Sequence, residues 1–250
     1  MLYASLIIPT YNEAKNLPHL LKEIFESINP AQIDLEVIIV DDNSPDGTAA
    51  VAHKLSSTFP VSVIKRTGKL GLGSAVIAGF AHSRRPLVGV MDADLSHPPA
   101  LLPELITALK KGDLVVASRF EAGSRVMNWA WYREGISRIG VYLAQKLTHA
   151  TDPLSGYFFV RRSIMENNEF TTRGYKILLE ILVKAKYRTL IEIPFTFRTR
   201  LHGQSKLNSS EYLRFLRQLI EYAGYKIKVW YKERLLIKGR TIKLTRSVTK

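Results

Sequence analysis

The chain has 250 residues, enough for one large domain or two small ones, and its 46% hydrophobic and 23% charged residues exclude a disordered or fibrous protein. It has no cysteine, which excludes disulfides and zinc–thiolate sites and fits a reducing compartment. Thirty-six Lys and Arg against 22 Asp and Glu leave a formal charge of +14, which points to a polyanionic partner: nucleic acid, an anionic membrane surface or a phosphorylated substrate.

The opening "MLYASLIIPTYNE" lacks a basic leader and reads as a first strand rather than a signal peptide. Short, β-branched apolar runs follow at intervals. "LYASLII" (2–8), "LEVIIV" (35–40), "VSVI" (61–64), "LVGVM" (87–91) and "DLVVAS" (113–118) are the predicted strands. Helical patterns lie between them near 14–28, 46–57, 72–83 and 99–111, with Pro45 and Pro99 suited to first turns. This alternation predicts an α/β fold: a Rossmann-like, mostly parallel sheet flanked by helices. After residue 118 the pattern changes. Residues 121–135 read as a mobile loop, followed by helices near 135–148 and 175–186 and a strand at 189–195. No run reaches the ~18–20 apolar residues of a spanning helix, so no transmembrane helix is expected.

In such sheets ligands bind beyond the carboxyl ends of the strands. The polar clusters obey that rule: "PTYNE" (9–13), "DDNSPDGT" (41–48), "RTGKLGLGSA" (66–75) and "DADLSHPP" (92–99) each follow a strand. Asp92 and Asp94 are two positions apart, so in extended chain both carboxylates face the same way. Like charges so placed suit a hard divalent cation shared with substrate phosphates; the plainer alternative is a solvated loop that caps a helix. Asp46, Gly47 and Thr48 read as turn and helix-start residues, while Asp42 is a candidate for a ribose or base contact. "GLGSA" is neither a Walker loop nor a full dinucleotide fingerprint, and its glycines read as structural. Arg119, Arg133, Arg200 and Lys206 are the candidate phosphate cations.

Taken together, "PTYNE", "VDDNSPDGT", "GLGSA", "DADLSHPP", "DPLSGYFFVRR" and "RLHGQSK" resemble the inverting family 2 glycosyltransferases, specifically the dolichyl-phosphate (polyprenyl-phosphate) mannose synthase group, from about residue 3 to 207. The resemblance implies a GT-A fold, a Mg²⁺ or Mn²⁺ cofactor, a nucleotide-sugar donor (GDP-mannose favoured) and a polyprenyl or dolichyl phosphate acceptor. It also implies residue roles. Pro9, Tyr11 and Glu13 would contact the nucleotide, with Val40 and Asp42 around base and ribose. Asp92 and Ala93 would lie at ribose and diphosphate. Asp94 would bind metal directly, and Asp92 directly or through water. Arg119, Arg200 and Lys206 would hold donor or acceptor phosphates, with Arg119, Arg133 and Arg200 the acceptor candidates. Ser96 stands where some members place a metal-binding Gln, and reaches less far. The Gln-x-x-Arg-Trp signature of processive synthases is missing. A lipid phosphate needs positioning rather than a base; an alcohol acceptor would need one, with Asp152 the first candidate.

The chain divides into a catalytic domain, 1–208, and a basic amphipathic C-terminal segment, 209–250. The latter carries eleven Lys and Arg against three Glu, a net +8. Tyr212, Phe215, Leu216, Leu219, Ile220 and Ala223 fall at helical spacing behind Ser209 and Ser210, whereas "YKIKV" alternates like a strand. A helix packed on the domain and an interfacial segment that meets anionic lipid are the two readings. The second makes the protein peripheral, at the cytoplasmic face of a membrane; a membrane partner subunit is left open. The alternatives are a soluble or UDP-glucose-dependent relative with another acceptor, an inert partner subunit, and a nucleic-acid-binding protein. The last has only charge in its favour, and no nucleic acid partner is expected.

Overall fold

The structure, a computed structural model, describes residues 1–126, 131–166, 168–170, 176–198 and 209–247. Chain contacts divide it into two compact units, Met1–Leu207 and Asn208–Lys250.

The first unit is built on β1 (Leu2–Thr10), α1 (Leu17–Ser27), β2 (Ile33–Asp41), α2 (Thr48–Leu55), β3 (Val61–Lys65), α3 (Leu72–His82), β4 (Leu87–Val90), α4 (Leu102–Ala108) and β5 (Leu114–Ser118). Then come β6 (Arg125–Val126), α5 (Trp131–Gln145), β7 (Phe158–Arg161), α6 (Arg162–Glu166), α7 (Ile177–Lys184), β8 (Leu190–Pro194) and β9 (Thr196–Phe197). Seven strands form one sheet in the order β3-β2-β1-β4-β7-β5-β8, and β6 pairs with β9 apart from it. Every neighbouring pair in the large sheet is parallel except those made by β7, which runs antiparallel between β4 and β5.

The strands read as continuous apolar runs because both faces are covered. Along β1, Leu6 and Ile8 enter the core shared with α1 and α4, while Ile7 enters the core shared with α3 and α7. Ile38 and Ile39 divide β2 in the same way. Gly89 on β4 is set by packing: a Cβ there would lie 2.4 Å from the Phe159 ring.

The chain runs outward from β1 to β2 and β3, then returns to lay β4 on the other side of β1. The order therefore reverses between β1 and β4, the switch point beyond whose carboxyl ends open α/β sheets bind their ligands. The segment that precedes the antiparallel β7 reaches the same edge.

One strand adds to the expected elements and two local expectations change. "FFVR" is a strand, β7, whose Phe158, Phe159 and Val160 are fully buried. Pro45 lies in a turn ahead of the helix, because Gly47 takes the N-cap position of α2 with φ 84°. Helix α5 starts at Trp131, inside the stretch expected to be a loop; residues 127–130 lie outside the described residues.

The second unit is one helix, α8 (Ser209–Ser247), of 39 residues. It continues through "YKIKV". Alternation over five residues does not outweigh good helix formers on both sides, and Gly224 costs only about 1 kcal/mol within a helix. Leu213, Leu216, Ile220, Ile227 and Tyr231 recur at helical spacing and are exposed. No described helix is long and apolar enough to cross a membrane.

Candidate active site

The loops after β1 and β2 are bonded to each other. Glu13 donates its N–H to Thr48 Oγ1 at 2.9 Å, and its carboxylate accepts from Asn16 Nδ2 at 2.6 Å. Asp46 accepts from the Thr48 and Ala14 N–H groups, at 3.1 Å each. Partial burial would raise the Asp46 carboxyl, but these bonds together outweigh it and hold the group below its ordinary range. Asp41 is fully buried and accepts from Ser44 N at 3.0 Å and Thr10 Oγ1 at 3.2 Å. These carboxylates build the loop that carries them.

Asp42 is tied to the loop after β3. Its Oδ1 accepts from Arg66 Nη1 at 2.6 Å and its Oδ2 from the Gly71 N–H at 2.8 Å. Arg66 also reaches Ser74 Oγ at 2.6 Å, and Lys69 Nζ sits 4.1 Å from the centre of the Tyr11 ring. Asp42 with Arg66, and Tyr11 with Lys69, thus tie the loops after β1 and β2 to the loop after β3. Pro9 is half-buried at the end of β1, whereas the Val40 side chain belongs to the core.

The loop after β4 is compact and bent. Leu95 is held at φ 63°, a left-handed conformation that costs a non-glycine residue of order 1–2 kcal/mol. Asp94 Oδ1 accepts from the Ser96 N–H at 3.1 Å and from Ser96 Oγ at 2.5 Å, both in buried surroundings. Ser96 therefore fixes Asp94. Ala93 is buried in the core, while the Asp92 side chain keeps 32% exposure. The Ser96 carbonyl accepts from Arg198 N at 3.0 Å, anchoring β9's exit to this loop.

Arg119 follows β5 and meets the segment before β7. Asp152 accepts from its backbone N at 3.1 Å, its Nε at 2.7 Å and its Nη2 at 2.8 Å. The pair is buried, with side chains 10% and 0% exposed. Burial alone would raise the Asp152 carboxyl; Arg119's charge and hydrogen bonds outweigh it and hold the carboxyl low. Burial would likewise lower Arg119, but Asp152 and Asp92 outweigh it and keep the guanidinium charged. Asp152 is therefore a partner for a cation, not a poised base. Its own segment is fixed by Glu192 of β8, which accepts from Thr151 N, Thr151 Oγ1 and Asp152 N at 2.7–3.1 Å. Arg119 Nη1 makes no hydrogen bond among the described residues.

The structure puts Asp92, Asp94, Ser96 and Arg119 at or just beyond the ends of β4 and β5, and Pro9, Tyr11, Glu13 and Asp42 at or just beyond the ends of β1 and β2. Arg200, Lys206 and the Arg133 side chain lie outside the described residues. Sequence reasoning singled out neither Arg66, Glu192 nor His97. Glu192 carried a signal: a carboxylate inside the apolar run "LIEIP". Among the described residues no three His, Asp or Glu cluster as a self-contained metal site. Asp92 and Asp94 do fit a hard cation, which keeps oxygen positions for substrate phosphates beside one or two carboxylates.

Residues 5–168 match the family described as glycosyl transferase family 2. A dolichol-phosphate mannosyltransferase of Pyrococcus furiosus is 44% identical over 228 residues, which cover 88% of this chain and 64% of that protein. The chain thus spans less than two thirds of that relative. A protein of the same name from Saccharomyces cerevisiae is 36% identical, covering 89% of this chain and 87% of its own. One from Mycosarcoma maydis is 37% identical, covering 87% and 78%. Among solved structures, glucosyl-3-phosphoglycerate synthase from Mycobacterium tuberculosis with UDP superposes with a TM-score of 0.61 at 19% identity, over 89% of this chain and 80% of that one. The same enzyme with Mn²⁺, UDP-glucose and phosphoglyceric acid gives 0.63 at 18%, over 89% and 80%. At that identity the likeness is one of fold: the GT-A arrangement of a mostly parallel sheet flanked by helices.

Proposed function

The chain belongs to glycosyl transferase family 2, and from that premise we propose that it is an inverting, metal-dependent glycosyltransferase that moves a hexose, mannose from GDP-mannose, onto a polyprenyl or dolichyl phosphate at a membrane surface. The observation that carries this reading is the buried Arg119–Asp152 pair. The first-choice base is locked onto a cation, so the acceptor side of the site offers a fixed positive charge and no poised proton acceptor. A phosphate acceptor asks for that. Its second pKa is ~6, so its oxygen is already anionic at neutral pH and needs positioning more than deprotonation. The relatives' names supply the substrate class.

In the transfer, the acceptor phosphate oxygen forms the new bond to the anomeric carbon while the bond to the donor's β-phosphate oxygen breaks, through an oxocarbenium-like state. Arg119 holds the incoming phosphate with the donors not given to Asp152. Arg200 and Lys206 are assigned to phosphates of donor or acceptor, and Arg133 to the acceptor. Tyr11, Asp42 and Arg66 hold the nucleoside end. Asp94 and Asp92 would hold Mg²⁺ or Mn²⁺, Asp92 directly or through water. A divalent cation bound there would neutralise charge on the departing diphosphate. Ser96 donates its hydroxyl proton to Asp94 Oδ1 and so fixes Asp94, while its oxygen lone pairs remain a weak further ligand for the cation.

Two surfaces support a membrane setting. On α5, Ile136, Ile139, Tyr142 and Leu143 recur on one face and are exposed, Ile139 by 63% and Tyr142 by 57%. On α8, exposed apolar residues alternate with Arg214, Arg217, Lys226, Lys228, Lys232 and Arg234. Each such cation contributes about 1 kcal/mol near an anionic leaflet.

The test is a donor screen on anionic liposomes that contain a short polyprenyl phosphate, with Mn²⁺ or Mg²⁺ and labelled GDP-mannose or UDP-glucose. Labelled lipid from GDP-mannose, lost on chelation and reduced on neutral liposomes at high salt, is expected. Product from UDP-glucose alone, or on a sugar hydroxyl, would overturn the assignment.

A further inference from the structure

We propose that His97 is a positioning residue for Asp92: its Nδ1 takes the Asp92 main-chain N–H as the strand ends, and with Gly156 it forms the cradle that aims the Asp92 carboxylate. The inference rests on the reading of Asp92 as part of the donor site.

Strand pairing sets the geometry. The register that puts Val90 opposite Phe158 and Leu87 opposite Arg161 would, two residues on, put Asp92 opposite Gly156. The ladder stops before that. The Asp92 N–H donates instead to His97 Nδ1 at 3.2 Å. An imidazole nitrogen that accepts a main-chain N–H carries no proton, so the ring is the Nε2–H tautomer. Its Nε2 lies 4.0 Å from Asp92 Oδ2.

The ring cannot turn away. His97 is 2% exposed, stacks on Tyr157 at 5.1 Å, and meets Phe195 and Phe197 edge-on at 5.8 and 5.7 Å. The other side of the cradle is a missing atom. A Cβ on Gly156 would stand 2.9 Å from Asp92 Oδ2 and 3.1 Å from Oδ1. Gly156 has no positive φ, so the backbone would accept alanine. The three atoms nearest such a Cβ all belong to the Asp92 carboxylate.

His97→Phe keeps the stacking and removes the acceptor. His97→Asn gives up the ring but places a carbonyl oxygen where Nδ1 stood. The two variants therefore separate packing from hydrogen bonding. Three readouts apply to the full chain: amide hydrogen exchange at Asp92, Mn²⁺ affinity in the presence of GDP, and kcat against KM for GDP-mannose. His97→Phe should lose Asp92 amide protection, weaken Mn²⁺ by roughly 10–100-fold and lower kcat by up to about 10²-fold, with KM little changed. His97→Asn should recover most of each.

Protection and Mn²⁺ affinity kept in His97→Phe, or lost equally in both variants with the fold intact, would overturn the proposal. Should His97→Phe not fold, Gly156→Ala decides: the cradle requires weaker Mn²⁺ binding with an unchanged Asp92 amide, and undiminished binding refutes it. Amide exchange needs no substrate. A wild-type protein inactive with every donor would count against the transferase reading, while the His97 contact would still stand or fall on the exchange of the Asp92 amide.

Discussion

The loops after β2 and β4 sit at the same edge of the sheet and are both rich in aspartate, yet they use it differently. After β2, Asp41 and Asp46 are consumed by turn and cross-loop hydrogen bonds, while Asp42 is held in place by Arg66 and the Gly71 N–H. After β4, the neighbours work for the aspartates: Ser96 fixes Asp94 and His97 fixes the Asp92 main chain. A carboxylate that builds its loop and one for which the loop is built look alike in sequence. They differ in what a substitution removes.

The largest effect is expected at the pair that backs the second kind. Asp152→Ala leaves Arg119 charged and buried without its partner, a change that costs about 3–5 kcal/mol. Urea denaturation should show it as a lower midpoint at unchanged slope. A loss under about 1 kcal/mol would mean that solvent reaches Arg119 and that the pair is a surface one.

Next comes the contrast itself. Asp94→Ala should lower turnover by roughly 10²–10³-fold, the scale for removing one preorganised electrostatic element, with little change in unfolding free energy. Asp41→Ala should do the reverse. It strips partners from Ser44 N and Thr10 Oγ1, costs about 1–3 kcal/mol of stability, and leaves kcat of the folded protein within a few-fold. Equal behaviour of the two variants in both assays would dissolve the distinction between the loops.

Much of the plan was legible in the chain. Continuous apolar runs followed by polar clusters define a parallel sheet and one ligand edge, and Asp92 and Asp94 stand out by spacing. The segment before β7 was not legible in the same way. "FFV" is an apolar run like the others but a very short one, and nothing in it announces the antiparallel course that threads it between β4 and β5. Without that course nothing in the sequence brings Asp152 to Arg119, 33 residues away, or Glu192 to Thr151. The "YKIKV" alternation left that stretch open in the sequence: five residues of period two are too few to decide against a helix that runs from Ser209 to Ser247.

The smallest effect separates the two carboxylates that are both held below their ordinary range. A group whose folded pKa is depressed contributes stability that is fully present above its unfolded pKa and lost as pH falls through the folded one. For Asp152 and Asp46 the window therefore opens near the unfolded aspartate value of about 3.9 and extends below it. The causes differ. Desolvation opposes the charged form at both; at Asp152 the buried charge of Arg119 overcomes it, and at Asp46 the Thr48 and Ala14 hydrogen bonds do so on an exposed turn. Solvent screens the second and not the first. Asp152→Asn, which keeps a carbonyl acceptor for Arg119, should visibly flatten the fall in stability between about pH 4 and pH 2, as followed by thermal unfolding. Asp46→Asn should leave that slope nearly as it was. If Asp46→Asn flattened the slope as much as Asp152→Asn, the acid sensitivity would belong to the loop after β2, and the buried pair would not be the element that acid breaks first.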